Sequence, residues 1–171
     1  ASLAKAFAGR AGIICCSEDF KDYFAMESYP AIFSSCLLDH ELAWFSEAAD
    51  FLSCAEERRN RLRAITARVR STLSEQGYDV SAGSEQIIAL EPGHELLTLK
   101  LRDALQARGI FGAPFCLPAT GLNRSLIRLS MNSGMTEADV AHLLEVCAEI
   151  RDDVSLKQWW QCGKPPADLR C

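Results

Sequence analysis

Long apolar runs are missing from this sequence. No stretch of about 18 consecutive apolar residues occurs, so neither a transmembrane helix nor a membrane partner is expected. The N-terminus also lacks the build of a secretory signal: Lys5 sits where an apolar core should grow, and Gly9 and Gly12 follow it. Positive charge is in deficit, with 18 Lys and Arg against 23 Asp and Glu and a net charge of −5. That balance argues against a general nucleic-acid binder. Histidine is scarce, at positions 40, 94 and 142 only, and there is no C-x-x-C pair to accompany it. Zinc-finger spacing is therefore absent, and no metal site is expected. Internal repeats and low-complexity segments are absent too.

What is present suits one domain or one and a half: 171 residues, 49% of them hydrophobic, enough for a real core. Cysteine is plentiful but unpatterned. Cys15 and Cys16 are adjacent, and the others fall at 36, 54, 116, 147, 162 and 171. Such scatter fits free thiols used as small hydrophobes in a reducing compartment, which points to the cytoplasm.

The most informative stretch is Ser2-Leu3-Ala4-Lys5-Ala6-Phe7-Ala8-Gly9-Arg10-Ala11-Gly12. One lysine stands among small residues, with a hydroxyl three positions before it and glycines after it. A lysine that forms a Schiff base with a flat cofactor needs such a setting. Small neighbours let the cofactor approach the backbone, hydroxyl and N–H groups hold a phosphate, and partial desolvation activates the amine. On spacing alone the same stretch also fits an ordinary surface lysine in a Gly/Ala-rich turn.

Gly12-Ile13-Ile14-Cys15-Cys16 reads as a buried strand leaving this loop. Ser17 is placed to cap a short helix with Phe20, Tyr23 and Phe24 on its apolar face, broken at Tyr29-Pro30. Ala31 to Leu38 follows, with adjacent hydroxyls at Ser34 and Ser35. From Asp39 to Gln76 the spacing predicts one long amphipathic helix on Phe45, Ala48, Leu52, Ala55, Leu62, Ile65, Val69 and Leu73, stopped by Gly77. Its middle carries Arg58, Arg59, Arg61, Arg63, Arg68 and Arg70, which suit a solvated face offset by glutamates or a dock for a coenzyme A phosphate.

The remainder reads β-α-β-β-α. Strands are expected over 85–90, 110–115 and 125–131, a turn at Pro92-Gly93, and a helix over 95–108. Thr136 and Asp139 form a capping box for the last helix, which buries Val140, Leu143, Leu144, Cys147 and Ile150, with Met135 and Val140 placed as a hydrophobic staple. A small sheet covered by helices on one side is the expected α+β layer arrangement. Arg128 lies in the apolar strand Leu126–Met131. It is either a solvent-face side chain or a fork that holds a carboxylate through two parallel hydrogen bonds.

Together these stretches resemble the pyridoxal-phosphate class II aminotransferases, and most closely the α-oxoamine synthases, which condense an amino acid with an acyl-CoA. The words Ser-Leu-Ala-Lys-Ala-Phe-Ala-Gly-Arg-Ala-Gly and Ala-Ile-Phe-Ser-Ser-Cys-Leu-Leu look nearest to the bacterial quorum-sensing synthases of long-chain α-aminoketone autoinducers. The resemblance spans about residues 1–153, with its motifs in family order. It departs after Ser35, where Leu38-Asp39 stands in place of the family's prolines.

The resemblance implies the following expectations. The fold is the C-terminal part of an α/β pyridoxal-phosphate transferase: the end of the large domain over 1–38, a connecting helix over 39–77, a small α+β domain over 78–154, and a tail over 155–171 with no assigned role. The cofactor is pyridoxal 5'-phosphate, carried by Lys5, with Ser2, Ser34 and Ser35 at its phosphate and Ser35 serving the neighbouring subunit of a homodimer. Arg128 takes the substrate carboxylate, with Arg124 a second candidate. The cofactor-binding half that precedes the lysine in the family is not among these residues, so the chain by itself is not expected to be active. A plain aminotransferase, or a non-catalytic dimerisation module left from such an enzyme, are the competing expectations.

Overall fold

The computed structural model describes residues 1–159. The chain divides into two compact units, Ala1–Glu56 and the part from Glu57 onward.

The first unit contains the N-terminal loop and helices α1 (Glu18–Glu27), α2 (Tyr29–Ile32) and α3 (Asp39–Ser53). Ser17 caps α1 by accepting from the Phe20 N–H, as its position in the sequence predicts. Leu38 precedes α3, and its N–H donates to the Glu41 carboxylate at 2.9 Å. Phe45, Ala48 and Leu52 are half-buried along α3, whereas no residue of 1–56 is fully buried. Gly12–Cys16 is not a buried strand. Gly12 forms one isolated bridge with Ser2, and Ile13 and Ile14 are 50% and 58% exposed. Ile13 exchanges backbone bonds with Ala1, and among the described residues no named strand pairs with 14–16 to cover them.

The single helix expected over 39–76 is two, α3 and α4 (Glu56–Glu75). The Ser53 hydroxyl donates to the Asp50 carbonyl at 2.7 Å, and Cys54 and Ala55 N–H bond three residues back, to Phe51 and Leu52. These tighter bonds end α3 where Ser and Cys, both modest helix formers, succeed Leu52. The small-hydrophobe reading of the cysteines holds for Cys147 alone among the described residues. Cys15, Cys16, Cys36 and Cys54 are exposed and Cys116 is half-buried.

The second unit is α4, β1 (Ile87–Gly93), α5 (Glu95–Gln106), β2 (Ala113–Phe115), β3 (Ser125–Ser130), α6 (Glu137–Glu149) and one turn of 3-10 helix at Leu156–Gln158. The order is the expected one, and the sheet is antiparallel with β3 central, β1-β3-β2. Alternation decides its faces. Ile127 and Leu129 of β3, with Ile88 and Leu90 of β1, enter a core shared with Val69 and Leu73 of α4, Leu101 and Leu105 of α5, and Val140, Leu143 and Cys147 of α6. Arg128 and Ser130 point the other way and are exposed.

β1 starts and ends later than its apolar run predicts. The chain turns at Gly83 and Glu85, both with positive φ, before entering the sheet. It then passes through a bulge between Leu90 and Gly93, so that Gly93 pairs with Ser125 where a turn was expected.

Arg58, Arg61, Arg63 and Arg68 of α4 lie on an exposed face, as expected, and three of the helix's arginines also bond to the rest of the unit. Arg70 donates to the Val80 and Ile87 carbonyls at 2.7 and 2.5 Å, Arg61 to the Met135 carbonyl at 3.0 Å, and Arg68 pairs with Glu137. The beginning of the tail has a structural role. Trp159 is 6% exposed, meets the Tyr78 ring edge-on at 5.5 Å, and donates its indole N–H to the Val154 carbonyl. Tyr78 in turn donates to the Cys147 carbonyl at 2.7 Å. Burial raises the Tyr78 phenol and pushes the Cys147 thiol up to about 12, so both stay neutral in the core. The rest of the tail, 160–171, lies outside the described residues.

The capping box at α6 is formed as its sequence predicts. The Thr136 hydroxyl accepts from the Asp139 N–H, and the Asp139 carboxylate accepts from the Thr136 N–H at 2.7 Å. The Thr136 backbone N–H, then its hydroxyl, hold the Asp139 carboxyl below the usual carboxylate range. Thr136→Ala is expected to lower the unfolding free energy by about 1 kcal/mol at neutral pH, measured by urea unfolding. Because the folded-state pKa is depressed, the Asp139 contribution is present above the unfolded carboxylate pKa and is lost as pH falls through the folded value. The gap between Asp139→Asn and the parent therefore closes on acidification; a gap that persists or widens in acid contradicts the assignment.

Candidate functional site

The lysine stretch closes on itself. Ser2 bridges Gly12, the Leu3 N–H donates to the Ala11 carbonyl at 2.9 Å, and the Ala1 amino group donates to the Ile13 carbonyl at 2.6 Å. Between these rungs the chain makes a tight turn, with the Ala8 N–H on the Lys5 carbonyl at 3.0 Å and Ala8 at φ 50. Lys5 therefore sits on a loop whose two ends are fixed, close in sequence and space to the Ser2 hydroxyl, which accepts from the Ala4 N–H at 3.3 Å.

Helix α3 buttresses the far side of this loop. The Trp44 indole N–H donates to the Phe7 carbonyl at 2.9 Å, and the Phe7 and Phe45 rings lie 6.4 Å apart. Gly9 allows it: a Cβ there would collide with the Phe45 ring. Trp44 and Phe45 are the supporting residues that the sequence reading missed. Phe45 shows there only as one apolar position of a helix, and nothing in the pattern marks Trp44.

Lys5 is exposed, and among the described residues its amine makes no hydrogen bond or ion pair. The partial desolvation expected of a Schiff-base lysine is thus not supplied by these residues. Ser34 and Ser35 lie in the turn after α2, both exposed. They share the first unit with Lys5, and no described hydrogen bond joins them to it.

Arg128 belongs to the second unit. It is placed by β3, the central strand, opposite Ala89 of β1 and Ala113 of β2. It is exposed, and among the described residues its guanidinium makes no hydrogen bond or ion pair; its carbon lies 4.7 Å from the centre of the Phe115 ring. Arg124, the second candidate, is committed elsewhere. It pairs through two nitrogens with the Glu91 carboxylate, one contact at 3.1 Å, and Glu91 is 8% exposed. That buried carboxylate needs its cation, so Arg124 reads as structural. No cluster of His, Cys, Asp or Glu among the described residues is arranged to hold a metal ion, and no described helix is long and apolar enough to cross a membrane.

The donor set fits a phosphate-bearing aldehyde cofactor. An unpaired primary amine sits on a fixed loop, with a hydroxyl on the same loop and exposed hydroxyls at Ser34 and Ser35. The pattern of the aminotransferase class I and II family matches residues 1–146. The chain belongs to that family.

Among its relatives, the CAI-1 autoinducer synthase of Vibrio campbellii is 40% identical over 148 residues, 86% of this chain and 37% of that protein. The chain therefore spans a little over a third of this relative's length. Among solved structures, a serine palmitoyltransferase holding pyridoxal phosphate as its internal aldimine superposes with a TM-score of 0.81 at 19% identity, over 91% of this chain and 39% of the other. The 8-amino-7-oxononanoate synthase of Francisella tularensis gives 0.74 at 19% identity, over 88% and 44%. The fold is thus a fragment of the pyridoxal-phosphate transferase fold, as the sequence reading has it.

Proposed function

We propose that this chain is part of a pyridoxal-phosphate-dependent acyltransferase of the α-oxoamine synthase type, which condenses an amino acid or a similar amine with an acyl-CoA to give an α-aminoketone signalling molecule. The observation that carries this reading is the closed loop that presents the Lys5 amine three residues from the Ser2 hydroxyl. Lys5 and Arg128 are exposed and unpaired among the described residues, while Arg61, Arg68, Arg70 and Arg124 are engaged by the protein itself. The 40% identity to an autoinducer synthase supports the choice of branch.

In this reading Lys5 holds the cofactor through its amine. The hydroxyl of Ser2, and those of Ser34 and Ser35, donate to phosphate oxygens, Ser35 toward the neighbouring subunit. Arg128 grips the substrate carboxylate through its planar fork. The freed Lys5 amine removes the α-proton. The cofactor, when bound, supplies the electron sink that makes this proton removable. Carbon–carbon bond formation at the thioester then releases coenzyme A. The reaction is expected of the whole protein, in the cytoplasm.

The test is to incubate the whole protein with amino acids and acyl-CoAs and follow product by mass spectrometry. Release of coenzyme A with an α-aminoketone is expected. A keto acid formed without coenzyme A release would replace the synthase reading with a plain aminotransferase.

Assembly follows from the first unit. Ile13, Ile14 and Phe33 expose 50%, 58% and 68% of their surface, and Tyr29 and Met26 more still. Apolar surface of this extent favours association. The isolated chain is expected to sediment as a dimer or larger in analytical ultracentrifugation. A clean monomer at high micromolar concentration would show that the surface is closed some other way.

A further inference from the structure

We infer that Phe115 is a positioning residue for Arg128, holding its guanidinium ready for a ligand carboxylate; the inference rests on the carboxylate-binding reading of Arg128 given above.

The register places the two residues on one face. β2 pairs Ala113 with Arg128 and Phe115 with Leu126, so Phe115 and Arg128 are diagonal neighbours across the β2–β3 pair. Diagonal neighbours are within reach of an aromatic and a long side chain. The ring reaches across this diagonal, and the guanidinium carbon sits 4.7 Å from its centre. The residues directly opposite Arg128 on the two flanking strands are Ala89 and Ala113. Neither offers a polar group that competes for the guanidinium, and neither is large enough to block an approaching ligand. The nearest acidic residue of β1, Glu91, is taken by Arg124.

An exposed arginine on four flexible bonds loses rotamer freedom when it captures an anion. A ring beneath the cation removes part of that freedom beforehand and attracts the charge through its π face, while leaving the N–H edge for hydrogen bonding. Phe115 thus serves Arg128 in a way that Glu91 does not serve Arg124: it holds the cation without neutralising it.

The test uses the 171-residue chain, labelled with nitrogen-15, with acetate as the carboxylate probe at constant ionic strength. The Arg128 Nε–H resonance is expected to be shifted by the ring current and to respond to acetate. In Phe115→Leu that shift disappears and acetate binding weakens about 2- to 5-fold. Phe115→Tyr keeps both, and unchanged Ile127 and Leu129 amide resonances report an intact sheet. In the whole protein, Phe115→Leu raises KM for the amino acid by the same factor without changing kcat, and the rise vanishes with the amino-acid methyl ester. Phe115→Leu with parental acetate binding, or Phe115→Tyr as weak as Phe115→Leu, overturns the positioning role. Arg128→Gln separates the two ideas. If it leaves acetate binding and KM unchanged, the reading of Arg128 fails. If it abolishes binding while Phe115→Leu does not weaken it, only the role of Phe115 fails.

Discussion

Lys5→Ala in the whole protein is expected to lower turnover by at least roughly a hundred- to ten-thousand-fold, the range associated with a single positioned acid–base group. The loss should exceed that of Arg128→Gln, Phe115→Leu or Thr136→Ala, because one amine is assigned both the covalent hold on the cofactor and the α-proton transfer. The substitution should be silent for folding. Lys5 is exposed, and the rungs that close its loop are backbone bonds of Ala1, Leu3, Ala11 and Ile13 together with the Ser2–Gly12 bridge, which alanine preserves. Borohydride reduction with pyridoxal phosphate gives a second readout: mass spectrometry of the digested protein should find the added mass on the peptide containing Lys5 and lose it in the variant. Labelling that persists in Lys5→Ala at the parental yield would remove the assignment, whatever the activity.

Arg128→Gln is expected to raise KM for the amino-acid substrate by roughly 10- to 100-fold, the equivalent of hydrogen bonds to a charged partner. Stability should hardly change, because Arg128 is exposed and breaks no described ion pair when removed. Arg128→Lys keeps the charge but not the planar fork, and should fall between the two. Arg124→Gln behaves oppositely. It strands the Glu91 carboxylate, which is 8% exposed, so it lowers stability first and affects substrate only through the sheet. Steady-state kinetics set beside urea unfolding separate the two arginines. Equal effects on KM from both would contradict this division of labour.

That division was not legible in the sequence. Arg124 and Arg128 are four residues apart, and nothing local marks one as paired. The deciding partner of Arg124 is Glu91, 33 residues away on β1, beside the bulge that stands where Pro92-Gly93 predicts a turn. The support of Lys5 was hidden for the same reason. Gly9 reads as one more small residue of a cofactor loop, yet the ring it makes room for belongs to Phe45 on α3.

The sequence alone determined the features whose causes lie within a few residues or in a fixed period. These are the lysine loop with its small residues and hydroxyl, the Ser17 cap, the Thr136–Asp139 box, the β-α-β-β-α order, and the helix faces that carry Val69 and Leu73 or Val140 and Leu143 into the core. Hydrogen-bonding side chains at helix starts and periods of 2 and 3.6 are local physics, and a linear reading recovers them. Only the tertiary structure decided the register that sets Arg128 beside Phe115, the pairing of Arg124, and the exposure of Ile13 and Ile14. Each of these depends on a partner distant in the chain, or on whether a partner is present among the described residues. Burial and ion pairing are properties of the space around a side chain, and sequence spacing carries no measure of that space.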